Sequence, residues 1–168
     1  MSGPRPQRKL RKDFPRWALP GFAVLASLAG PAAGLSATTE QVVADWRSGI
    51  ALGGVDPVAF FTDAAPKTGR TDVEYTYAGV TWRFRNEGNR AAFAADPEVY
   101  MPRFGGHDPV GVARGIARPG HPDLWLVAGN RLYLFYSAEA RAAFMAEPQQ
   151  VAEAADEKWS DVLRTLSR

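Results

Sequence analysis

The two histidines of the chain, His107 and His121, fall in one stretch with Met101, Asp108 and Asp123. Imidazole, carboxylate and thioether donors form a set that suits copper or zinc. His107, His121, Asp108 and Met101 are therefore candidate metal ligands. Their spacing contains no His-x-x-His or His-x3-His pair, and His121-Pro122-Asp123 reads equally well as a turn. A second chemistry is open at the same place. Arg103, Arg114 and Arg118 lie in the same stretch of sequence and could receive an anion, while Trp82, Phe84, Trp125, Tyr133 and Phe135 could line a pocket for a small molecule. The plainer reading of both sets is solvated loop charge and alternating core aromatics. Asp56 and Asp108 could meet as a carboxylate pair, or each could cap a helix begun by the proline that follows it. No Gly-x-Ser-x-Gly, phosphate loop or metalloprotease helix is present. The absence of cysteine removes thiol nucleophiles, disulfides, zinc thiolates and iron–sulfur ligation. These properties favour a binding module over an enzyme.

Positioning these groups falls to a repeated unit. Gly53-Gly54-Val55-Asp56-Pro57-Val58 returns as Gly105-Gly106-His107-Asp108-Pro109-Val110. Ala78-Gly79 is answered by Ala128-Gly129, and Arg90-Ala91-Ala92-Phe93 by Arg141-Ala142-Ala143-Phe144, at offsets of 52, 50 and 51 residues in turn. Three separated motifs in one register mark a tandem duplication, with repeats at about 53–104 and 105–150. In the first repeat Val73, Tyr75 and Tyr77, then Val80, Trp82 and Phe84, alternate on either side of Ala78-Gly79, the pattern of a hairpin with one buried face. In the second, Leu124 to Val127 and Leu132 to Tyr136 are apolar on both faces, as covered strands are. Asn86 and Ser137 are placed to cap the helices that follow, the first with Phe93 inward and Asn89 and Arg90 outward. Pro97 and Pro148 interrupt these helices, and a C-terminal helix carries Val151, Trp159, Val162 and Leu166.

A single hairpin with one helix covers too little apolar surface to stand alone. The expected fold is therefore α+β: one domain over 51–168, built from two pseudo-symmetric β-hairpin-plus-helix units that share a sheet or a core, followed by the C-terminal helix. Ahead of it, Thr38 and Gln41 form a potential capping box for a short N-terminal helix over 38–50, with Val42, Val43 and Trp46 on its apolar side.

The first 37 residues differ in composition. Arg5, Arg8, Lys9, Arg11, Lys12 and Arg16 precede a mostly apolar run that ends at Leu35-Ser36-Ala37, the order of a secretory signal peptide cleaved after Ala37. The weaker alternative is a retained anchor, since Pro20, Gly21, Gly30, Pro31 and Gly34 interrupt the ~20 continuous apolar residues a span requires. The expected location is exported and periplasmic, with no membrane span in the mature chain. Cleavage takes six of the 20 basic residues and one of the 18 acidic ones, which leaves 14 against 17. The basic balance thus belongs to the leader, and no polybasic surface remains for nucleic acid.

Gly54-Val55-Asp56-Pro57-Val58-Ala59-Phe60-Phe61, Gly79-x-x-Trp82-x-Phe84, Asn89-Arg90-x-x-Phe93-x-x-Asp96-Pro97-x-x-Tyr100-x-Pro102, Gly105-Gly106 and Gly111-Val112-Ala113 together carry a family likeness. From about Ala51 to Trp159 the chain resembles the exported bacterial YHS-domain proteins. The wider YHS group is similar to small treble-clef-like metal-binding modules and occurs near heavy-metal transporters and oxygenases. Many exported members read Tyr-Cys after the two glycines, where this chain has His107 and Asp108. Arg85, Asn86 and Asn89 stand where metal-binding relatives place Cys, so the thiol on which a metal or redox role would depend is absent. The resemblance implies a YHS-like fold and a non-catalytic accessory role in the cell envelope. Residues 101–123 would then meet a small ligand, an ion or another envelope protein, with His107, Asp108, Arg103, Arg114, Trp82 and Trp125 as candidate contacts. The alternative is copper or zinc binding through His107 and His121.

Overall fold

The computed structural model describes residue 3 and residues 41–166. The leader reading and the Thr38 cap therefore fall outside the described residues. The elements run α1 (Ala59–Thr62), β1 (Arg70–Tyr77), β2 (Val80–Phe84), α2 (Glu87–Ala95), α3 (Pro97–Tyr100), α4 (Pro109–Val112), β3 (His121–Ala128), β4 (Arg131–Phe135), α5 (Ala138–Ala146) and α6 (Pro148–Leu166). Short 3-10 turns at Leu52–Gly54 and Arg103–Gly106 precede α1 and α4. The fold is α+β.

Each half forms its own two-stranded antiparallel sheet, β1 with β2 and β3 with β4. The registers repeat. Arg70 faces Phe84 and His121 faces Phe135; each ladder then shifts before resuming at Glu74 opposite Arg83 and at Trp125 opposite Leu134. The agreement extends to the loops, where the Gly69 amide donates to Gly54 O (2.8 Å) and the Gly120 amide to Gly106 O (2.9 Å). Leu52 and Phe104, both non-glycine, take φ of 53° and 55° at matching places. That conformation is uncommon for residues with a Cβ, and it occurs just ahead of α1 and of α4. The hairpin tips correct one detail of the alignment. Ala78-Gly79 corresponds to Gly129-Asn130, since β2 and β4 begin at Val80 and Arg131. The strand ladders set the offset at 51, and left-handed φ is supplied by Ala-Gly in one tip and Gly-Asn in the other.

The hairpins share a core rather than a sheet. Trp82, Phe84 and Phe93 form a cluster with Leu132 and Leu134 of β4, while Tyr133 and Phe135 of the same strand join Phe104, Phe144 and Val162 in a second cluster. Successive side chains point to opposite sides of a strand, so β4 is buried on both faces, as its continuous apolar run requires. Phe93 lies 5.0 Å from Trp82 and 5.2 Å from Phe84, ring centroid to ring centroid; Phe144 lies 4.7 Å from Tyr133 and 5.3 Å from Phe135.

Beyond Gln41, which lies in a 3-10 turn, the helix expected over 38–50 does not form. Ala44 bridges to Ala51 and Ile50 to Thr81, with a turn between them. Asp45 is the cause. Its Oδ1 accepts from the amides of Arg47 (3.1 Å) and Ser48 (2.8 Å), a local closure that competes with helix, and Gly49 continues it at φ 67°. Val43 donates instead to Gly105 O at 2.8 Å, so the segment packs across the 3-10 turn of the second half. Trp46 sits exposed at the tip rather than on a buried face. His121-Pro122-Asp123 likewise is strand, not turn: it opens β3.

Candidate functional site

Two aspartates occupy matching positions, and their surroundings differ. Asp56 is fully buried; its Oδ1 accepts from the Val58 amide (2.9 Å), and its Oδ2 from the Arg85 amide (2.9 Å) and from Asn89 Nδ2 (2.7 Å). Asn89 stands in the first turn of α2, held by the N-cap Asn86, whose side chain accepts from the Asn89 amide at 2.8 Å. The outward placement expected for Asn89 is thus corrected. A buried carboxylate attracts any donor within reach, because leaving its oxygen bare costs more than ordering an amide side chain. An Arg85–Asp63 ion pair lies on the outer side of this arrangement.

Asp108 is also buried, and its Oδ1 accepts from the Val110 amide at 3.1 Å. Asp108 therefore caps α4, which begins at Pro109 as expected, whereas Asp56 makes the matching contact to the Val58 amide but α1 begins two residues later than expected, at Ala59, with Val58 at its N-cap. The flanking donors change in the second half. Ser137 caps α5 through the Ala140 amide (3.2 Å) as Asn86 caps α2, so Ala140 stands in Asn89's place and Tyr136 in that of Arg85. Alanine has no donor and ends at Cβ. What remains in front of Asp108 is a cavity of about 330 Å³, walled by Arg114, Arg118, Tyr136, Glu139 and Ala140. Burial pushes the Asp108 carboxyl above its ordinary range, opposed by the Val110 and Gly111 amides and by the charges of Arg118 and Arg114. The Arg118 guanidinium rests over the Tyr136 ring, 5.3 Å from its centroid. Among the described residues neither Arg114 nor Arg118 enters an ion pair.

Of the residues singled out from the sequence, the structure brings Asp108, Arg114 and Arg118 together. The others scatter. Arg103 pairs with Asp156 and covers Phe104, 5.2 Å from the ring centroid. Met101 is half-buried against the first core cluster. Trp82 is wholly buried, its Nε1 donating to Tyr77 O at 3.1 Å, and Trp125 packs on Phe60 with centroids 5.2 Å apart; both are core rather than pocket lining. His107 is buried with its ring 5.9 Å from that of Trp159, whereas His121 is exposed at the start of β3. His121 and Asp123 line a separate hollow of about 570 Å³ with Asp45 and Pro119, and His107 is not part of its wall. Among the described residues no three His, Asp or Glu side chains gather as metal ligands.

The carboxylate pair is not formed either. Asp56 is engaged by α2 and Asp108 by the turn of α4, each within its own half. Sequence reasoning missed Ala140, Tyr136 and Glu139 as lining residues. The signal was available, since aligning Arg90 with Arg141 places Asn89 opposite Ala140. Comparison with family models, curated proteins and solved structures returns no match.

Proposed function

We propose that this chain is an exported YHS-like binding module of the cell envelope, made of two pseudo-symmetric units, one of which keeps the structural form and the other of which is opened for a ligand. Non-catalytic binding is the reading that the cavity at Asp108 supports best. In the first unit every oxygen of the buried aspartate is met from within the chain; in the second, the same aspartate faces a space lined by Arg114 and Arg118, neither of which enters an ion pair among the described residues. A buried polar group beside a concavity of this size is the usual signature of a small-molecule site. The charged groups there include no activated nucleophile held beside a base, which favours recognition over turnover. Copper or zinc binding through His107 and His121 draws no support from their separate settings.

Two measurements test the proposal. Fractionation with N-terminal sequencing is expected to find the chain outside the cytoplasm and starting at Thr38; an intact Met1 form confined to the cytoplasm contradicts export. A broad small-molecule screen by thermal shift on the full chain is expected to yield ligands whose effect is lost in Ala140→Asn. A screen in which nothing binds removes the binding reading.

A further inference from the structure

Resting on that binding reading, we propose that the Asp108 cavity takes a small zwitterion of the free amino-acid class. Its N–H donor group takes the place that the Asn89 amide holds against Asp56, and its carboxylate lies on Arg114 and Arg118. Three observations carry this. The first is the occupant that the other half of the chain supplies. Asn89 Nδ2 donates to Asp56 Oδ2 at 2.7 Å, and truncation to Ala140 removes that donor from Asp108 while the α5 cap stays in place. A ligand that presents N–H at the vacated position restores a contact this backbone already accommodates, and a donor to a buried carboxylate is favoured over solvent there.

The second is the balance of charge around the cavity. Asp108, Glu139, Arg114 and Arg118 all line it, two carboxylates and two guanidinium groups. A net cation meets the arginines and a net anion meets the acids, whereas a zwitterion oriented one way satisfies both. The guanidinium fork suits a carboxylate in particular. The third is size. About 330 Å³ lies at the small end of ligand cavities and fits a molecule of a few heavy atoms with a modest side chain. Ile116 and the Tyr136 ring give that side chain an apolar wall.

The test is calorimetry and NMR titration of the full chain with L-alanine and L-asparagine at millimolar concentration. Propionate, which lacks the N–H group, and L-alaninamide, which lacks the carboxylate, are run beside them. Saturable binding of the amino acids is expected, at least tenfold tighter than either deleted analogue. Ala140→Asn is expected to weaken it at least tenfold. Arg114→Ala with Arg118→Ala, two exposed positions, provides a second variant that keeps the fold and is expected to bring the amino acids down to the level of the amides. The inference is overturned if neither amino acid binds, if the analogues bind equally well, or if Ala140→Asn binds unchanged. Its failure is separable from that of the binding reading. A different ligand, found in the broad screen and lost in Ala140→Asn, sinks the zwitterion alone; a screen with no ligand at all sinks both.

Discussion

Asn89→Ala removes the one side-chain donor on Asp56 and so makes the first half resemble the second. Asp56 would keep the Val58 and Arg85 amides at 2.9 Å each and lose the 2.7 Å contact from Nδ2. A hydrogen bond to a charged, buried acceptor contributes ~1.5–3 kcal/mol. Alanine recovers ~0.6 kcal/mol through its better helix propensity at a position inside α2. The net loss is then ~1–2.5 kcal/mol, with the lower end applying if water enters the space and hydrates Oδ2. For a domain of this size that corresponds to a fall in Tm of roughly 3–9 °C. The reciprocal change, Ala140→Asn, supplies the missing donor to Asp108 and fills the cavity. The same terms with opposite sign predict a Tm from unchanged to several degrees higher. Thermal and urea unfolding of both variants, followed by circular dichroism, measures the pair. The reasoning is refuted if Asn89→Ala unfolds within a degree of the parent, or if Ala140→Asn is as destabilising as Asn89→Ala.

Other consequences are as specific. The Asp108 carboxyl is raised by burial, so its contribution to stability is present below its ordinary value of 3.8 and is lost as pH rises through the higher folded value. Stability relative to Asp108→Asn should therefore fall as pH rises from that point; a difference that does not change with pH, or that grows, contradicts the assignment. Gly69→Ala and Gly120→Ala should each cost ~2 kcal/mol or more by overpacking, since the added Cβ would lie 2.5 Å from the Arg83 carbonyl carbon and 2.6 Å from Leu134 Cβ. Matched shifts in urea midpoint would check that prediction. Gly105→Ala places a Cβ 1.8 Å from Gln41 O and should release the 41–44 segment, read as faster proteolysis there with the rest of the domain intact. Phe93→Ala should cost ~3–5 kcal/mol, because that ring packs on Tyr75, Tyr77, Trp82 and Phe84; unfolding midpoints that barely move would show the core to be differently arranged.

The hairpins, the caps at Asn86 and Ser137, the doubly buried β4 and the Asp108 cap could be read before any coordinates, because each rests on a period of two or on a cap within three residues of its partner. Less was legible where a residue had a choice of partners. Apolar side chains at 42, 43 and 46 suggested a helix, yet Asp45 closed a local turn and the Val43 amide found Gly105 O. Helical spacing put Asn89 outward, and a buried carboxylate 33 residues earlier drew its amide in. His107 and His121 lie close in sequence, but one is packed beside Trp159 and the other opens β3.

By itself the sequence determined the two matching stretches, most of the strand and helix content between residues 51 and 168, and the basic charge of the first 37 residues, since these depend on composition and on neighbours a few residues apart. Tertiary structure decided that the hairpins would share a core through β4 rather than a sheet, and that one aspartate would be closed and the other left facing a cavity. The reason is physical. A single difference, Asn89 in one half against Ala140 in the other, acquires meaning only when the fold sets each beside its own buried carboxylate, where the missing donor coincides with a cavity.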